Sequence, residues 1–137
     1  MNKILSPAPL WQNEGVGFAR MITGIFLIYH GWEIFDEKQM QDYAQWDLFK
    51  NNAYASFMVY CGKGTEFITG ILLALGLFTR ITCIIIACTF LYISFFVGNG
   101  KIWYEDQYPF LFVILALLFF FTGPGKWALD NIVFKKQ

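Results

Sequence analysis

Long apolar blocks, interrupted by short polar stretches, organise this chain. Four of them predict helices, at about 15–35, 55–78, 81–97 and 106–122, each close to the ~17–25 residues a helix needs to cross a hydrocarbon core. Between 55 and 97 the apolar run is nearly unbroken. As one helix rising ~1.5 Å per residue it would far exceed a ~30 Å core, so it must turn. Gly76-Leu77-Phe78-Thr79-Arg80 breaks it near its middle with a glycine and a full charge, which predicts a tight hairpin around Thr79-Arg80. The fourth block enters near Tyr108-Pro109, where a proline's missing N–H costs nothing, and stops at Gly123-Pro124-Gly125.

Two segments outside these blocks keep some periodicity. Residues 36–54 space Met40, Tyr43, Trp46, Phe49 and Tyr54 among acids, amides and lysines, predicting a short helix in the outer interface with its aromatics at headgroup level. Its expected role is a cover rather than a dedicated substrate lid. Residues 126–134 predict a short amphipathic helix on the inner surface. The expected fold is all-α: a single domain over 1–137, a transmembrane four-helix bundle with short interfacial helices.

Composition agrees with a bilayer environment. The 137 residues are 57% hydrophobic and only 15% charged, against about 25% charged in a soluble domain. Ten basic and ten acidic residues cancel, which removes the footprint of a nucleic-acid binder. Ser6-Pro7-Ala8-Pro9 interrupts the region where a signal peptide needs its apolar core, so the first span is read as retained. Four spans place both ends on one side. Lys3, Arg80, Lys126, Lys135 and Lys136 gather there, against Lys38, Lys50 and Lys101 opposite. The expected placement is the inner (plasma) membrane, multi-pass, with both termini cytoplasmic.

Candidate chemistry lies where charge meets the membrane, because ionisable groups at that depth are costly. On the first span these are Arg20, His30 and Glu33, and on the second Lys63 and Glu66. Gly17, Gly24 and Gly31 recur every seventh residue beside Arg20, and Gly70 and Gly76 share a face with Glu66 and Arg80. Small residues let helices approach closely, so these two faces are expected to pack together. Matching antiparallel rise sets His30 opposite Glu66 and Glu33 opposite Lys63, a ladder of two rungs about 21–23 Å and more from the inner boundary. Such rungs can fix the register of the bundle or handle a ligand or proton, and the residues alone do not separate the two.

Other chemistry finds little material. The single His gives a haem no second axial ligand, and no set of four zinc ligands is visible, so no metal is expected. Cys61, Cys83 and Cys88 form no CxxC pair and read as small hydrophobes. No phosphate loop, nucleophile elbow or HExxH motif occurs.

Three motifs in order resemble the DoxX family of four-helix membrane proteins over almost the whole length. They are Arg20-Met21-Ile22-Thr23-Gly24 with Tyr29-His30-Gly31, then Glu66 through Gly70 and Leu72-Leu73 to Gly76 and Thr79-Arg80, and finally Gly123-Pro124-Gly125 with Leu129-Asp130. The resemblance implies a link to respiratory or sulfur redox chemistry, including a subunit of thiosulfate:quinone oxidoreductase, or to oxidative-stress complexes. The chain carries no paired cysteines for a thiol-redox role, and Glu33 stands where many relatives carry Lys.

The leading expectation is an accessory or small-molecule-binding subunit of an inner-membrane redox assembly, with a quinone as ligand and no intrinsic cofactor. In it His30 meets a carbonyl oxygen, Glu66 orients the imidazole, and Arg20 and Arg80 anchor the cytoplasmic end with Asp130 as partner. The alternative is a non-catalytic scaffold packing against larger membrane subunits. A small transporter is disfavoured by four short spans without an internal repeat. Besides the lipid bilayer, the expected partners are other membrane subunits or a second copy, covering the Phe-rich faces of the third and fourth spans.

Overall fold

A computed structural model describes residues 6–134, and it is all-helical, with no strand among them. In order come α1 (Gln12–Gly31), a 3-10 turn (Trp32–Phe35), α2 (Glu37–Ala44) and α3 (Ala55–Leu75). There follow α4 (Thr79–Tyr92), a π-helical turn (Ile93–Val97), α5 (Gln107–Thr122) and the single turn α6 (Asp130–Val133). Two segments, Ala55–Leu75 and Thr79–Val97, are long and apolar enough to cross a membrane. The apolar α5 has 16 residues. α1 has 20, but Asn13, Glu14, Arg20 and His30 dilute its apolar positions.

Packing follows from side-chain size. α1 and α3 run antiparallel with glycines between them, while α4 and α5 meet through larger side chains. The main core joins Leu27 and Leu73 to Cys83, Ile86, Phe90 and Phe119. A second cluster sets Met40 of α2 and Phe49 on Val59 of α3. Cys83 belongs to the main core as a hydrophobe, and Cys61 and Cys88 are exposed and unbridged. Large apolar side chains such as Ile25, Ile68, Ile84, Ile114 and Phe121 face outward, the reverse of a surface made for water.

Some boundaries differ from the sequence expectation. The hairpin turns at residues 76–78 rather than at Thr79-Arg80, which form the first turn of α4. Gly76 ends α3 at φ 65°, and Leu77 N–H donates to Leu72 O at 2.9 Å while Gly76 N–H donates to Leu73 O at 3.1 Å. Those two bonds satisfy the last carbonyls of α3 three residues earlier than the charge at Arg80 suggested. The interfacial helix α2 covers only eight residues, with Asp36 as its N-cap. The helix expected over 126–134 shrinks to one turn, because Trp127 at φ 58° and Gly125 at φ 69° bend the chain beforehand. Lys3, Lys135 and Lys136 lie outside the described residues.

Asp130 replaces the missing local cap of α4. Its carboxylate accepts from the backbone N–H of Phe78 at 2.6 Å and of Thr79 at 2.8 Å. Asp130→Ala should lower stability by about 0.5–2 kcal/mol, the usual worth of such a cap. Thermal unfolding in detergent would measure it, and an unchanged midpoint would refute the capping role.

Candidate polar site and apolar recess

The site starts from how α1 ends. Gly31 lies against α3, where a Cβ would collide with the backbone of Phe67. Beyond it the chain tightens into the 3-10 turn, which swings Glu33 toward α3. Lys63 and Glu66 stand one turn apart on α3 and share a face. Lys63 Nζ therefore sits between two carboxylates, 2.8 Å from Glu33 Oε2 and 3.1 Å from Glu66 Oε2.

A fourth member comes from α2. The Tyr43 hydroxyl donates to Glu33 Oε2 at 2.9 Å and accepts from Gln39 Nε2 at 3.1 Å. Burial raises the Tyr43 hydroxyl above its ordinary pKa, so it stays protonated and remains a donor. Lys63 Nζ also lies 5.3 Å from the centre of the Tyr43 ring, within cation–π range. Sequence reasoning placed Tyr43 only among interfacial aromatics. Its spacing shows a helix face, but nothing local shows that its hydroxyl reaches across to α1.

His30 does not complete the second rung. Its ring packs edge-on to Phe112 of α5 and to Tyr29, and meets no hydrogen-bond partner among the described residues. The reason is angular. Gly31 is buried against α3, and a residue one position away is turned by about 100°. His30 thus lines a recess of about 520 Å³ between α1 and α5, with Thr23, Phe26, Tyr108, Leu111, Phe112 and Leu115. Glu66 faces a different, partly open cavity of about 220 Å³, lined by α3, by α4 and its π-helical turn, and by α2 with the loop that follows it. The proposed imidazole–carboxylate partnership is therefore corrected. Glu66 takes Lys63 from its own helix, and only the backbone oxygen of His30 approaches that ammonium, at 3.4 Å.

At the other end Arg20 is fully buried. Its guanidinium donates to the backbone oxygens of Leu73, Ala74 (2.8 Å), Pro124 (2.7 Å), Lys126 (3.4 Å) and Trp127 (3.2 Å). Asp130 was the expected carboxylate partner for Arg20 and Arg80, but its oxygens are spent on the N-terminus of α4. The carbonyl end of α3 supplies the compensating negative potential instead. Arg80 is exposed and forms no ion pair among the described residues. Lys126 pairs with Glu14 at 3.0 Å.

The glycines are close-approach positions. A Cβ on Gly17 would strike Lys126 O, one on Gly24 would lie 2.5 Å from Ala74 N, and one on Gly70 2.6 Å from Ile28 N. Gly76 combines its positive φ with the Arg20 guanidinium, which a Cβ there would meet at 2.8 Å. No motif or charge pattern singles out Asp106 in the sequence. It is buried and accepts from the backbone of Asn99 at 3.0 Å and Lys101 at 2.9 Å, tying that loop to the start of α5. Among the described residues no three His, Cys, Asp or Glu side chains gather as a metal site.

Comparison with known proteins adds the following. The family model DoxX matches residues 15–99, the stretch that holds Arg20, His30, Glu33, Lys63, Glu66 and Arg80. The chain is similar to an "Uncharacterized protein" of Haemophilus influenzae, 31% identical over 128 residues, covering 88% of this chain and 92% of that one. It is also similar to the "Putative oxidoreductase CatD" of Bacillus subtilis, 30% identical over 128 residues and 88% of each chain. No solved structure matches.

Proposed function

The chain belongs to the DoxX family, and from that premise we propose that it is a subunit of an inner-membrane redox assembly that binds a quinone-like ring. In this reading α1, α3, α4 and α5 all span the bilayer, and both termini are cytoplasmic. The similar protein named as an oxidoreductase points to the same chemistry. One observation carries the ligand: the only imidazole of the chain faces an aromatic-walled recess with no hydrogen-bond partner among the described residues. An unpaired polar group facing hydrocarbon is costly, whereas a ring carbonyl could accept from the imidazole N–H. At about 520 Å³ the recess falls within the ~300–1,000 Å³ of small-molecule sites.

A bound quinone would supply two-electron, two-proton redox capacity. The chain's own contribution is to stack the ring edges against Phe26 and Phe112 and to fix one oxygen at His30. The outward apolar faces of α4 and α5 would suit a scaffold too. Lipid contact already accounts for them, whereas the edge-on packing of His30 on Phe112 and Tyr29 leaves its ring nitrogens without a hydrogen-bond partner among the described residues.

The test is extraction of lipids from protein purified in mild detergent, with quinones quantified by chromatography and mass detection. Quinone should co-purify above a mock preparation, and His30→Phe should reduce it about tenfold, the value of one hydrogen bond near 1.4 kcal/mol. Equal quinone in the mock preparation or in the variant would overturn the reading.

A further inference from the structure

The geometry points to a second binding site, between α2, α3 and α4, for a small organic ammonium ion. Glu33, Lys63 and Glu66 bring two carboxylates to one ammonium, so one negative charge is left over when all three are ionised. Lys63 is saturated, since its three N–H groups face Glu33, Glu66 and the backbone oxygen of His30. Glu66 is not. Its side chain is 7% exposed, its Oε2 accepts from Lys63, and its Oε1 has no donor among the described residues. This half-satisfied carboxylate lines the cavity of about 220 Å³.

The cavity walls select the ligand class. Tyr43, Trp46, Phe49 and Tyr92 surround the space, with Met58 and Val59. Ring faces attract cations, and their apolar surface accepts a hydrocarbon body. A protonated primary amine on a short aromatic or alkyl chain would donate to Glu66 Oε1, cancel the excess charge and leave its body against the rings. An anion would meet the surplus negative charge with no free donor, because Lys63 is spent. The volume lies below that of ordinary ligand sites (~300–1,000 Å³), which restricts the occupant to a small molecule. The backbone oxygen of His30 from α1 and the Tyr43 hydroxyl from α2 flank the cluster, and Tyr92 of α4 lines the same cavity. The site shares no lining residue with the recess at His30, so it stands or falls apart from the quinone reading.

The experiment is titration of the full chain in nanodiscs, followed by calorimetry. Two probes of matched shape are used: 2-phenylethylamine, protonated at pH 7, and neutral 2-phenylethanol. Saturable binding of the amine, at least about tenfold tighter than the alcohol (one decade being 1.4 kcal/mol), is the expected result. Glu66→Gln should remove that preference. Should Glu66→Gln fold poorly, Gly62→Leu takes its place. The open space around Gly62 admits a side chain that fills the cavity and should abolish binding of the amine. His30→Phe should leave amine binding unchanged. Absence of saturable binding, equal binding of the two probes, or indifference to both variants would overturn the site.

Discussion

Arg20→Met should be among the most destabilising substitutions this chain can carry, costing about 3–5 kcal/mol, because several buried carbonyls lose their donor at about 1–3 kcal/mol each. The methionine keeps most of the volume and removes every donor. Five backbone oxygens, from the end of α3 and from residues 124–127, would then lose the guanidinium that they share. Each buried carbonyl left unsatisfied costs about 1–3 kcal/mol. Local rearrangement would recover part of this only by opening the end to water. Arg20→Lys should restore little, because a compact ammonium with three donors cannot span acceptors on two separate segments. Unfolding by denaturing detergent, followed by circular dichroism, would read the difference. A midpoint for Arg20→Met within about 0.5 kcal/mol of the parent, the spread of ordinary surface changes, would show that the guanidinium does not hold these segments together.

Arg20 also shows what the sequence conveys and what it withholds. Its importance was legible, because a charge among apolar residues beside a glycine stripe has to be accommodated. Its partner was not. Sequence reasoning looks for an opposite charge and finds Asp130, but a helix end offers carbonyls that no residue letter announces. Asp130 meanwhile answers the same need at the opposite polarity, accepting from the N–H groups that open α4.

The polar end of α3 divides in the same way. Counting rise along antiparallel helices brought Glu33 level with Lys63, and the ion pair is there at 2.8 Å. Counting rise says nothing of azimuth, and His30 was lost on that coordinate. Gly31 fixes the face that meets α3 and thereby commits its neighbour to α5. The shift from α-helical to 3-10 winding after Gly31 moved Glu33 independently of His30, so a uniform turn angle could not place both. Tyr43 comes from a separate helix whose docking rests on Met40 and Phe49, and pairing across such a distance leaves no local trace.

Gly24→Ala and Gly62→Ala should move stability in opposite directions, although each adds one methyl to a helical glycine. At Gly24 the new Cβ would lie 2.5 Å from Ala74 N and 2.7 Å from Ala74 Cα, both backbone atoms. A flexible side chain could step aside there, but a neighbouring helix has to move as a unit. The contact of Gly70 with Ile28, and that of Gly31 with Phe67, keep one antiparallel register along the seam, so separation at one point loosens all three. Overpacking of this kind costs about 1–3 kcal/mol for a single methyl, and Gly24→Leu should prevent assembly of the α1–α3 pair. At Gly62 nothing lies within 4 Å of the added atom. Replacing a helical glycine with alanine then gains about 0.5–1 kcal/mol, from the backbone entropy that glycine loses on folding. Detergent-unfolding midpoints for the two variants decide the matter. Equal shifts, or a tolerated Gly24→Leu, would mean that α1 and α3 do not meet backbone to backbone.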